Sequence, residues 1–133
     1  MTLKALLVFI VSSFTILFYS GCTTPVAIDP QTGLEQTATY TAGFFYAPVD
    51  ASVSEIFRAA IREIDELGYF RTGERHGKDS IKIYARKVGD QLITVRIRQT
   101  PEAEAQSELR IRVGDLGNLA ESQLIYSRIR DAL

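Results

Sequence analysis

Three stretches of this chain alternate strictly between apolar and polar residues, and that alternation restricts the fold more than any other feature. Ser80 to Lys87 sets Ile81, Ile83 and Ala85 against Lys82, Tyr84 and Arg86. Leu92 to Gln99 sets Ile93, Val95 and Ile97 against Thr94, Arg96 and Arg98. Glu108 to Val113 sets Leu109, Ile111 and Val113 against Arg110 and Arg112. A period of two is the signature of a β-strand with one buried face. Three such runs with a common polar side predict an antiparallel sheet that is dry on one face and wet on the other.

The pattern also predicts the register, because directly opposed residues share a face of the sheet. A two-residue Gly89-Asp90 turn would set Arg96 against Ile83, mixing the faces. A three-residue loop, Val88 to Asp90, sets Val95 against Ile83 and Ile93 against Ala85, with Gly89 or Asp90 left-handed. A five-residue loop satisfies the same parity.

A second period appears between Val53 and Leu67. Val53, Ile56, Phe57, Ala60, Ile61, Ile64 and Leu67 recur at the three-and-four spacing of one helix face. Ser52 with Glu55 forms a capping-box signature, Asp50 is a second candidate cap, and Gly68 marks the stop. Arg58, Arg62, Glu63, Asp65 and Glu66 fall mostly on the opposite, solvated side. Tyr40 to Ala47, closed by Pro48, reads as a first strand, and Tyr69 to about Arg75 as extended but weakly patterned. Thr100 to Gln106 and Gly114 to Gly117 read as loops. A last helix runs from Asn118, capped with Glu121, toward Leu133, with Leu124, Ile125 and Ile129 as its apolar side. The expected order is β-α-β-β-β-β-α, an α+β fold with about four strands in an antiparallel sheet and two helices on one face.

The N-terminal part has a different character. Met1 to Lys4 carries one positive charge, and Ala5 to Tyr19 follow without any. Small residues Ser20 and Gly21 then precede Cys22. A charged start, a short apolar run and small residues before a cut describe a secretory signal, and the run is too short for a comfortable membrane span. Tyr19-Ser20-Gly21-Cys22 resembles a bacterial lipobox, with Tyr19 where such signals usually carry Leu. That resemblance implies cleavage before Cys22 and a covalent diacylglycerol and N-acyl lipid on it. Thr23, in place of Asp, implies outer-membrane sorting with the domain facing the periplasm. The expected division is a signal peptide over 1–21, a flexible tether over 22–39 rich in Pro, Thr and Gln, and one domain over 40–133.

Cys22 is the only cysteine of the 133 residues, so no internal disulfide forms. The formal charge is −1 and there is no global attraction to nucleic acid. His76 is the only histidine and sits among Glu74, Arg75, Gly77 and Lys78, as an exposed turn residue would. The acid pairs Asp65-Glu66 and Glu102 with Glu104 sit where solvated charge is expected. Gly114 to Gly117 is too short for a phosphate loop and lacks its lysine. No catalytic constellation, metal site or cofactor motif emerges, and the chain reads as a non-enzyme.

From about Phe44 to Leu133 the chain resembles a family of small bacterial lipoproteins known as domain of unknown function 3568. Tyr46-Ala47-Pro48-Val49 before the first helix carries the resemblance. So does Ile111-Arg112-Val113-Gly114-Asp115-Leu116-Gly117, with Ser122, Ile125, Tyr126 and Ile129 beyond it. The resemblance implies a lipid-anchored α+β domain and assigns no activity.

One constellation stands out. The three-residue loop sets Lys82 opposite Arg96. Pairing Ile97 with Leu109 then brings Arg110 beside Arg96 and Glu108 beside Arg98. Lys82, Arg96 and Arg110 would form a cationic row, with Arg86 and Arg112 nearby. Such a row either meets an anion of an envelope partner or polymer, or solubilises an exposed sheet face with its long stems. The aromatics Tyr40, Phe44, Phe45, Tyr46, Phe57, Tyr69 and Phe70 leave a second reading open, a small-ligand or anion carrier with a pocket between the sheet and the first helix.

Overall fold

The computed structural model describes residues 24–26, 38–101 and 103–133. The leader, Cys22 and most of the tether read over 22–39 lie outside the described residues. Seven strands and two helices follow in order: β1 (Thr24–Pro25), β2 (Thr39–Thr41), β3 (Phe44–Val49), α1 (Val53–Glu66), β4 (Phe70–His76), β5 (Ser80–Lys87), β6 (Gln91–Thr100), β7 (Ala103–Val113) and α2 (Leu119–Asp131). The strands form a single antiparallel sheet in the order β1-β2-β3-β7-β6-β5-β4. The class is the α+β expected, but seven strands replace the four or so read from the sequence.

Each difference has a local cause. Tyr40 to Ala47 is not one strand. Ala42 and Gly43 both take positive φ, 50° and 79°, and fold the run into a β2–β3 hairpin with Thr41 opposite Phe44. Two left-handed central residues are the hallmark of the type I′ turn, whose twist suits a hairpin. Thr24 and Pro25 add a short outer strand against Tyr40 and Thr39. The loop read at 100–106 is mostly strand: β6 reaches Thr100, and Thr100 already pairs with Ala103. Its register slips between Gln99 and Thr100, which erases the alternation there.

The chain leaves β3 at one end of the sheet, crosses as α1 to the far edge, and returns strand by strand through β4, β5, β6 and β7. α1 and α2 both cover the apolar face, α1 over β4–β6 and α2 over β7 and β3. Phe45, Ile83, Ile93, Val95, Ile97, Leu109, Ile111 and Val113 line that face beneath Ile56, Ile64, Ile125 and Ile129, all buried. Ser52 caps α1 as a full capping box with Glu55, so Asp50 is free to accept a hydrogen bond from Gln106 at 2.7 Å. In α2 the buried stripe is Ser122, Gln123, Ile125, Tyr126 and Ile129. Leu124 is off it and 45% exposed, which corrects the apolar side read for this helix. Glu63 was read as solvated. It is buried where the helices meet, and Arg128 Nε holds its carboxylate at 3.1 Å.

Candidate functional site

The open face of the sheet carries the cationic row. The β5–β6 hairpin closes through Val88-Gly89-Asp90, with both Gly89 and Asp90 at positive φ. Ile83 therefore faces Val95 and Lys82 faces Arg96. On the other side of β6, Ile97 faces Leu109 and Arg96 faces Arg110. Lys82, Arg96 and Arg110 thus lie side by side on three neighbouring strands, at the cross-strand spacing of roughly 5 Å between Cβ atoms.

The row is longer than the sequence reading made it. Arg75 of β4 lies opposite Lys82, and Tyr46 of β3 lies opposite Arg110. Arg75 was missed because β4 bulges between Arg71 and Gly73. One extra residue reverses the parity of a strand, so no simple alternation survives from Tyr69 to Arg75. Apart from its place in the Tyr46-Ala47-Pro48-Val49 stretch, Tyr46 was read as an aromatic, with core or pocket in mind. Together with Phe44 it instead makes a platform on the open face. The Arg110 guanidinium lies 3.8 Å from the Phe44 ring centroid and 4.8 Å from that of Tyr46, and Arg112 lies 4.8 Å from Phe44. Such cation–π contacts fix where these charges point.

Electrostatic partners are missing where they would be expected. Among the described residues, no carboxylate forms an ion pair with Lys82, Arg96 or Arg110. Glu108 lies opposite Arg98 without closing a salt bridge. The Nε atoms of Arg96 and Arg110 are buried and have no hydrogen-bond acceptor. Opposed like charges cost a few tenths to ~1 kcal/mol per pair, and an unmet buried donor costs about 1–3 kcal/mol. Oxygen acceptors from an anion bound over the row would offset the like-charge cost. Arg86 and Arg112 sit outside the row. Arg86 is occupied by Asp90 of its own hairpin, and Arg112 Nε donates to the Gly114 carbonyl at 3.3 Å.

Other polar groups are structural. Glu121 accepts hydrogen bonds from the Tyr69 hydroxyl at 2.9 Å and from Lys87 at 2.7 Å, tying the start of α2 to β5 and to the α1–β4 link. Burial, then the bond to Glu121, pushes the Tyr69 phenol up to about 12. Burial also raises Tyr126, whose hydroxyl donates to the Pro48 carbonyl at 3.0 Å. His76 ends β4 and is exposed; it is no turn residue, and its ring meets Phe57 edge-on beside Glu74. Among the described residues, no three of His, Cys, Asp and Glu gather as a metal site. A cleft of about 570 Å³ opens along Thr39, Tyr46, Pro48, Gln106 and Glu108, beside the row. Of the seven aromatics, only Phe45 is fully buried in the core; Phe44 and Tyr46 lie on the open face and Phe70 is 74% exposed.

No curated protein matches the chain. A family model described as protein of unknown function (DUF3568) matches residues 4–132, and the chain therefore belongs to that family.

Proposed function

We propose that this chain is an exported lipoprotein whose domain is a non-enzymatic interaction module of the cell envelope. Acyl chains on Cys22 hold it to the outer membrane, facing the periplasm. The open face of the sheet binds a partner that presents phosphate or carboxylate oxygens. The observation carrying this reading is the directly opposed Lys82, Arg96 and Arg110, which have no acid partner among the described residues. Guanidinium groups suit such oxygens because their donors are arranged as a planar fork.

The anchor is supported by the lipobox-like Tyr19-Ser20-Gly21-Cys22 behind a charged start and an apolar run. Two or three acyl chains bind a bilayer firmly, since each buried CH₂ contributes about 0.8 kcal/mol. Among the described residues, no helix is long and apolar enough to cross a membrane.

Two results test the reading. Cys22→Ala abolishes fatty-acid labelling and releases the protein from membranes; undiminished labelling in that variant would refute the anchor. Reversing charge at all three positions (Lys82→Glu, Arg96→Glu, Arg110→Glu) leaves the circular dichroism spectrum native. The same change weakens capture of the envelope partner by at least about tenfold, equal to roughly 1.4 kcal/mol. Identical cross-linked partners from wild type and triple variant would refute the face.

A further inference from the structure

We infer that one end of the sheet is a membrane-contact surface, so that the domain stands upright on the bilayer with its cationic face turned sideways. The end in question is where β4 and β6 begin, where β5 and β7 finish, and where the β2–β3 hairpin turns. Six large apolar side chains are exposed among the described residues, and four of them gather here: Phe70 (74%), Val88 (93%), Leu92 (39%) and Leu116 (93%). Phe70 and Leu92 flank Arg86 on the sheet. Val88 is at the β5–β6 tip, and Leu116 packs its backbone against Gly43 of the neighbouring turn. Apolar residues almost fully exposed at loop tips, as Val88 and Leu116 are, fit the boundary between lipid headgroups and acyl chains.

The path of the chain points to the same occupant. Thr24 pairs with Tyr40 and Pro25 with Thr39, so β1 read backwards runs toward the Ala42-Gly43 turn. Cys22 is two residues before Thr24 and so at most about 7 Å from it. A lipid on Cys22 would therefore meet the domain at its apolar end. This part rests on the proposed lipidation; the clustering of the exposed side chains does not. Two of the cations at this end are paired, Arg86 with Asp90 and Lys87 with Glu121, while Arg112 donates to the Gly114 carbonyl. Apolar contact, more than attraction to anionic lipid, is what this surface offers. The opposite end, with Lys78 and Asp79 in the β4–β5 turn, exposes only Leu133 among the large apolar side chains of the described residues.

The test is depth-dependent quenching. Single cysteines replace Val88, Leu116 or, at the opposite end, Lys78 in the full chain. Each carries an environment-sensitive fluorophore, and the protein is reconstituted in phosphatidylcholine–phosphatidylglycerol vesicles containing headgroup-proximal spin-labelled lipid. The expected result is a blue shift and a loss of emission at Val88 and Leu116, with neither at Lys78. Equal quenching at both ends, or none at Val88 and Leu116, would overturn the inference. The chain without an added cysteine reports the anchor separately. If Cys22 itself takes the fluorophore, lipidation fails, while quenching at Val88 and Leu116, measured above that background, still decides the orientation.

Discussion

Gly117→Ala is expected to remove roughly 2–5 kcal/mol of folding stability, taking a left-handed residue at ~1–2 kcal/mol with overpacking at ~1–3. Gly117 has φ of 83° and Gly43 of 79°, and the two backbones lie against each other. A Cβ on Gly117 would collide with the Gly43 carbonyl and Cα and approach the Tyr40 hydroxyl to 2.6 Å. A Cβ on Gly43 would meet the Leu116 carbonyl at 2.6 Å. Backbone obstacles do not rotate away as a side chain does. Gly68 supplies the control, since it has φ of 77° and open space around it. Gly68→Ala should cost only the conformational part, about 1–2 kcal/mol. Equilibrium urea unfolding of both variants measures the difference. Equal losses would mean that the close approach of the two loops contributes nothing.

Phe45→Ala should be as costly, at about 3–5 kcal/mol. Phe45 is fully buried, lies opposite Ile111 in the sheet, and meets the Tyr126 ring edge-on at 5.4 Å. Its truncation leaves a cavity where β3, β7 and α2 converge, in a domain whose whole stability is on the order of 5–15 kcal/mol. Neighbouring aromatics should behave differently. Phe70 is 74% exposed, and Phe70→Ala is expected to leave the unfolding midpoint within experimental scatter. A midpoint that moves as far for Phe70 as for Phe45 would contradict this division between core and surface.

What could be read from the sequence follows the length over which one rule holds. β5, β6 and most of β7 keep unbroken alternation, so even the pairing of Lys82, Arg96 and Arg110 was legible before the fold. α1 keeps its period for four turns between a capping box and Gly68. Illegible elements are those where one residue resets the rule. The bulge in β4 hid Arg75, and two left-handed residues split Tyr40 to Ala47. The register slip near Thr100 disguised strand as loop. Leu124 misled for another reason: α2 buries Ser122, whose hydroxyl donates at 2.7 Å to the Asn118 carbonyl, in a position where an apolar residue would be sought. The aromatic platform under Arg110 was illegible because Phe44 and Tyr46 alternate with the core residue Phe45, and composition alone does not say which face is wet.

The two borders of the sheet differ in what they permit. Beyond β2, among the described residues, the strand is paired only with the two residues of β1. Beyond β4 no strand pairs with it among the described residues, and all seven of its residues are exposed. An open strand is a template for a second chain. The bulge at Thr72 interrupts that template in its middle, and Arg71, Glu74 and Arg75 place charge along it. Kinks and charge are the usual defences of a strand edge against growth into fibres. The irregularity that hid β4 from its own sequence thus also blunts this edge against pairing with a second copy of the chain.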